Sequence, residues 1–200
     1  MIREPKTILT TERLILRTWQ ESDVMLMTQI SSDPEVMAHF PATQDYAATQ
    51  GLVQRVQAHY LKWGYGLYAV EIRATGEFIG FVGLSQPSFE IPGFEPNGLP
   101  IVEIGWRLAK QHWGKGYAPE AANAVLEYGF TVLALPEIIS FTVVANSPSR
   151  RVMEKIGLHH DAVDDFKHPN IAEDNSLCHH VLYRLTRDAY LQRRNKQPSS

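Results

Sequence analysis

Val102–Ala118, VEIGWRLAKQHWGKGYA, is the stretch from which the rest of the chain is best read. Val102 to Ala109 reads as a buried strand, Gln111-His112-Trp113-Gly114-Lys115-Gly116 as a loop, and a helix is predicted from about Tyr117 to Leu133. A strand that delivers a glycine-broken, basic loop to a helix start is built to hold an anion. The first N–H groups of the helix lack internal partners, and the helix dipole favours negative charge there. Gly114 and Gly116 let backbone amides approach a phosphate without a Cβ in the way. Spacing narrows the ligand. A Walker A loop needs Ser or Thr after Gly-Lys, and Gly116 stands there instead. A dinucleotide fingerprint needs a small residue where Pro119 sits and an acidic residue ending a second strand; Glu137 begins the next strand. By spacing alone the loop is a weak pointer to a nucleotide.

The 200 residues, 44% hydrophobic, suit one compact domain with a substantial core. There is no apolar run of membrane-spanning length and no charged-then-apolar leader, so a cytoplasmic protein without membrane attachment is expected. The single Cys178 cannot form an internal disulfide, which agrees with a reducing compartment. A net charge of −3 argues against nucleic acid as the main partner. Lys110, Lys115, Arg150, Arg151 and Lys155 nevertheless gather around two short segments, a pattern that fits one small polyanion.

Working outward, a first strand is predicted over 8–18 and a helix from Ser22-Asp23 to about Ile30. A second helix, Asp45 to about Lys62, carries Ala48, Leu52, Val56 and Tyr60 as an apolar stripe before Gly64. Leu67 to Arg73 and Glu77 to Ser85 read as a hairpin. The proline-rich stretch 87–100 is too irregular for an element and is read either as a substrate-side lid or as a mobile insertion. After the helix ending near 133 come a strand at 138–145, a helix at 147–156, and strands near 159–166 and 178–185. A polar tail from Arg193 is expected to fray. Strands interrupted by helices, with hairpins at both ends, indicate an α+β fold with a mixed sheet.

Gln-x-x-Gly-x-Gly-x-Ala at 111–118, between an apolar strand and a helix, resembles the acyl-CoA loop of the GNAT superfamily of N-acetyltransferases. Asn146-Ser147-Pro148-Ser149-Arg150, leading into Met153-Glu154-Lys155-Ile156-Gly157-Leu158, resembles the family's second marker. Thr11-Glu12-Arg13-Leu14-Ile15-Leu16-Arg17 and His180-Val181-Leu182-Tyr183-Arg184-Leu185 resemble the branch of the ribosomal-protein N-terminal acetyltransferases. The resemblance covers roughly residues 8–190 and implies a single domain there, with 191–200 as a tail. It implies a mostly antiparallel central sheet, a splayed parallel strand pair at 102–109 and 138–145, and flanking helices. It also implies acetyl-CoA as co-substrate, no metal, and a primary amine as acceptor, on a protein N-terminus or a small molecule; relatives in this branch are often dimers.

By the same resemblance, the backbone of Trp106, Arg107 and Leu108 would meet the pantetheine arm and the forming oxyanion. Gln111, His112, Trp113, Gly114, Lys115, Gly116, Tyr117 and Ala118 would hold the diphosphate, with Asn146, Ser149 and Arg151 completing the coenzyme site. Glu103 is the candidate general base, since a carboxylate in so apolar a strand should be desolvated and its pKa raised. The competing reading pairs it with Arg107, which strand alternation places on the same face. Many relatives place a Tyr where Met153 stands. Ser149 is the alternative acid for the leaving thiolate, against a plain helix-capping role; Asn146 likewise has a capping reading. His159, His160, His168, His179 and His180 lack metal-ligand spacing, and Cys178 reads as an inert thiol. Trp19, Trp63, Tyr65 and Tyr68 read as core more readily than as an acceptor pocket. Two rival functions stay open: an acyl-CoA-binding sensor without catalysis, and a phosphate-binding interaction domain.

Overall fold

A computed structural model describes residues 5–94 and 100–196. In chain order the elements are β1 (Thr7–Thr10), β2 (Leu14–Arg17), α1 (Ser22–Ser32), α2 (Tyr46–Trp63), β3 (Leu67–Ile72), β4 (Phe78–Ser85) and β5 (Glu103–Leu108). They continue with α3 (Tyr117–Thr131), β6 (Glu137–Val143), α4 (Ser147–Lys155), β7 (His159–His160), β8 (Phe166–Lys167), β9 (His179–Thr186) and α5 (Arg187–Lys196). The chain forms two compact units, Met1–Ser85 with Gly105–Val125, and Gln86–Ile104 with Leu126–Ser200. The strands are mostly antiparallel with one parallel pair, the expected α+β class.

In the first unit β1, β2, β3 and β4 pair antiparallel in sequence order. The strand expected over 8–18 is therefore a hairpin. Thr11 causes the break: its Oγ1 accepts from Leu14 N at 3.0 Å, a side-chain turn that competes with strand pairing. Trp19, Val24, Met27, Ile30, Val53, Val56, Phe78 and Phe81 form the core beneath α1 and α2. Asp45 caps α2 by accepting from Ala48 N at 2.8 Å, and Gly64 closes it in the left-handed conformation. The buried stripe of α2 is Thr49, Val53 and Val56; only Val56 of the expected stripe lies fully inside, while Ala48 is exposed. On β4, Gly80 has φ +129°, and a Cβ there would lie 2.1 Å from the Arg107 carbonyl oxygen. Glycine is thus what lets β5 close on β4, where Ala109 N donates to Ile79 O at 2.9 Å.

In the second unit β6 and β9 pair antiparallel from Glu137↔Thr186 to Val143↔His180, and β7 and β8 both pair with β9. Residues Glu103 and Ile104 of β5 belong here. Glu103 pairs parallel with Ile139; Ile139 N donates to Val102 O at 2.9 Å, and Ser140 Oγ donates to Ile104 O at 2.8 Å. Ile91, Ile139, Phe166 and Leu182 form a core, with Phe89, Phe94, Ile101 and Phe141 against it. The described part of the 87–100 stretch is therefore tied into that core; residues 95–99 of the expected lid lie outside the described residues. The strand expected at 159–166 is interrupted at Asp161, whose carboxylate accepts from Val163 N at 3.2 Å and sets a turn. The tail expected to fray from Arg193 instead extends α5 to Lys196. Tyr190 stacks on Phe130 at 4.9 Å, and Arg193 Nη2 donates to Ile156 O at 2.9 Å.

Candidate active site

The loop between β5 and α3 lies wholly in the first unit. Gly114 and Gly116 adopt φ +71° and +82°, conformations that side-chain-bearing residues resist. His112 N and Trp113 N donate to the carbonyls of Ala109 and Lys110, so these two expected anchors are committed to the turn itself. Among the described residues, the backbone amides of Gly114, Lys115, Gly116, Tyr117 and Ala118 donate to no protein group. Five successive unpaired donors at the head of a 15-residue helix form an anion-binding nest. The side chain of Gln111 is exposed beside it, and so is that of Lys115. Trp113 is 44% exposed and fixed by its indole N–H, which donates to Leu108 O at 2.8 Å.

Two braces absent from the sequence reading hold this loop. Arg13 Nη1 donates to Lys115 O at 3.0 Å, and its guanidinium lies 4.7 Å from the centre of the Tyr117 ring. Glu120, in the first turn of α3, accepts from Thr11 Oγ1 at 2.6 Å, from Arg13 N at 2.9 Å and from Arg13 Nε at 2.6 Å. Burial pushes the Glu120 carboxyl up, but these hydrogen bonds outweigh it and hold its pKa below the ordinary value. Arg13 thus neutralises the one acidic group in a helix turn that would otherwise repel a phosphate. Beneath the loop, buried His112 places Nε2 2.9 Å from Glu77 Oε1; a carboxylate can only accept, so Nε2 carries the proton.

Glu103 sits in the second unit, where its parallel partner Ile139 shares its side of the sheet. On that side also lie Phe141 and Leu182, directly paired, so the carboxyl faces an apolar, aromatic floor. The residue keeps partial exposure, and burial around its carboxyl pushes the pKa up to about 8. The rise is the one expected for a carboxyl desolvated in an apolar strand. The pairing with Arg107 does not form: Arg107 Nη1 donates instead to Ser31 Oγ and Gln44 Oε1, both at 3.0 Å.

In the second unit, Asn146 caps α4. Its Oδ1 accepts from Ser149 N at 3.3 Å, and its Nδ2 donates to Thr142 Oγ1 at 2.9 Å. The cap is therefore Asn146, and the half-buried Ser149 sits in the first turn without the capping role. Arg151 is exposed. Met153 is 1% exposed, a core side chain. The neighbouring phenol, Tyr183, accepts from Arg150 Nε at 3.2 Å and donates to Glu154 at 3.1 Å. Among the described residues no group of His, Cys, Asp and Glu is arranged to hold a metal. His168 and His180 instead join Phe89, Phe141 and Phe166 in an aromatic cluster, and burial lowers both imidazole pKa values. Trp19, Tyr65 and Tyr68 are buried in the first unit, and Trp63 is partly exposed. No helix among the described residues is long and apolar enough to cross a membrane.

Known proteins match over most of this length. The family described as the acetyltransferase (GNAT) domain matches residues 13–159. An uncharacterized protein of Bacillus subtilis, YkkB, is 35% identical over 156 residues, covering 78% of this chain and 87% of its own. An FsC-acetyl coenzyme A-N(2)-transacetylase of Aspergillus fumigatus is 32% identical over 189 residues, covering 86% of this chain and 72% of its own. Among solved structures, a ribosomal-protein alpha-N-protein acetyltransferase in complex with coenzyme A superimposes with a TM-score of 0.70. It covers 92% of this chain and 99% of its own at 19% identity, a likeness of fold.

Proposed function

Because the chain belongs to the acetyltransferase (GNAT) domain family, we propose that it moves the acetyl group of acetyl-CoA to a primary amine by direct attack in a ternary complex. The observation that carries this reading is the run of five unpaired amides from Gly114 to Ala118, which fits the coenzyme's diphosphate. Lys115 adds positive charge at the same turn, where Arg13 offsets Glu120. The amides of Trp106 to Leu108 would meet the pantetheine arm and polarise the thioester oxygen, and Asn146, Ser149 and Arg151 would add coenzyme contacts, as the family resemblance implies.

Glu103 takes the proton of the ammonium, directly or through one water, and frees the nitrogen lone pair. Nitrogen bonds to the thioester carbon, and backbone donors stabilise the oxyanion. Collapse breaks the carbon–sulfur bond; the proton still carried by the acylated nitrogen passes through the Ser149 hydroxyl to the departing thiolate, so Ser149 ends the step neutral. The products are the acetamide and CoA. Phe89, Ile91 and Phe94, in the described part of the 87–100 stretch, pack into the apolar core that includes Ile139 and Phe141, and a cytoplasmic setting belongs to this proposal.

The test is release of free thiol from acetyl-CoA across a varied amine panel. Amine-dependent release that falls in Glu103→Gln supports transfer. Tight CoA binding with amine-independent background release would favour a sensor, the reading that Met153 at the family's Tyr position supports.

A further inference from the structure

Among the described residues, the first unit buries two arginines, and only Arg17 has a counter-charge. Arg107 is 8% exposed, yet the groups that meet it are neutral. Nη1 donates to Ser31 Oγ and to Gln44 Oε1, and the guanidinium is sandwiched between the rings of Phe40 at 4.5 Å and Phe81 at 5.5 Å. Its Nε is buried and has no hydrogen-bond partner. No ion pair of Arg107 is found among the described residues; Asp23 and Glu71 pair with Arg17, Glu35 with Lys110, Glu77 with His112 and Glu120 with Arg13, while Asp45 and Asp33 accept from the amides of Ala48 and Glu35. Burial lowers the Arg107 pKa to about 10, so the group is still a cation at neutral pH.

A buried, uncompensated cation with an unused donor is costly, and such groups are normally paired. We propose that Arg107 receives the carboxylate of the acetyl acceptor, so that the acceptor is an amine that also carries a carboxylate, an amino acid or a compound built like one. This rests on the acetyl-transfer reading above and specifies its substrate. The arrangement suits the role. Phe81 is a buried, fixed wall, whereas Phe40 is 39% exposed on the irregular segment between α1 and α2. Displacing the Phe40 ring would replace a cation–π contact with charge-assisted hydrogen bonds, which are stronger. Ser31 and Gln44 pre-orient the fork, and they are themselves joined by Gln44 N donating to Ser31 O at 2.9 Å. Along the chain Arg107 follows Glu103 by four residues, with Gly105 between them contributing no side chain.

Two measurements test this with the intact protein and CoA. In protein labelled with heavy nitrogen at arginine, the Arg107 Nε resonance, identified by its loss in Arg107→Lys, is followed during titration with propionate or propionamide. A saturable shift with propionate alone is expected; no shift, or the same shift with both, overturns the proposal. In the transfer assay, amino acids are compared with their own carboxamides. The acid is expected to have the larger kcat/KM by about tenfold or more, the value of a charge-assisted pair, and the ratio should approach one in Arg107→Met. Carboxamides acetylated as well as the acids would overturn the carboxylate site and leave acetyl transfer standing. A propionate-specific shift with no thiol release from any amine would overturn acetyl transfer and leave the anion site standing.

Discussion

Arg17 and Arg107 are buried to nearly the same degree, 4% and 8% exposed, within one compact unit, but their surroundings are opposite. Arg17 is clamped: Nη1 and Nη2 donate to the two oxygens of Asp23 at 2.7 and 2.8 Å, and Glu71 accepts from Nε at 2.8 Å. Burial alone would lower its pKa, yet the two carboxylates outweigh that and raise it. Asp23 also accepts from Gln20 N at 2.9 Å, so the pair pins the entry to α1. Arg107 has dipoles and ring faces instead, and its pKa falls. Glu103, on the same strand, is also shifted by burial, with no charged partner among the described residues. In the first unit the matched buried charge, Arg17, holds the fold, and the unmatched one, Arg107, is where the proposal seats a carboxylate.

The largest effect is expected where matching is removed. Asp23→Ala leaves the Arg17 charge buried with one partner fewer and should lower stability by roughly 3–5 kcal/mol in denaturant unfolding, the cost of breaking a buried pair. Gly114→Glu places bulk and like charge in the amide nest. It should weaken CoA binding by about tenfold or more in calorimetry, because the left-handed turn and the anion site are both lost. Unchanged affinity would discard the loop as the diphosphate site.

A third effect has a definite sign. Glu103 in the folded protein holds its proton up to about pH 8, whereas the unfolded chain releases it near the ordinary value of 4.5. The folded state therefore binds more protons across that window, and stability should fall as pH rises through it. Glu103→Gln should remove that part of the slope in unfolding measurements repeated over the same range. The smallest change is expected at Arg107. Arg107→Met removes an unmatched charge from an apolar sandwich, so stability should stay within about 1 kcal/mol of the parent in the same assay. A loss as large as that of Asp23→Ala would show that Arg107 is a structural cation like Arg17.

How much of this could be read from the sequence depends on how far apart the partners lie. The strand, glycine loop and helix start at 103–117 were legible because Gly114, Gly116 and the unpaired amides are local features. The Asp45 and Gly64 ends of α2 were legible for the same reason. The apolar setting of Glu103 followed from its strand. What holds the loop did not: Thr11 and Arg13 meet Glu120 more than a hundred positions away, and Ser31 meets Arg107 from another element. The two strand misreadings share a cause. Thr11 and Asp161 turn their side-chain oxygens onto nearby backbone amides, and β-rich composition around them hides the break. Helix α5 was missed because its sequence is polar and its anchorage rests on Tyr190 and Arg193, contacts that no periodicity displays.

The decisive measurement is the pH dependence of kcat/KM for amine acetylation, in the parent protein and in Glu103→Gln, with thiol release as the readout. Activity in the parent should climb with pH to an inflection near the value of about 8 to which burial raises the Glu103 carboxyl, and Glu103→Gln should lose about a hundredfold in rate together with that inflection. A Glu103→Gln protein that keeps the full rate and the same inflection would show that the proton leaves the amine by another route.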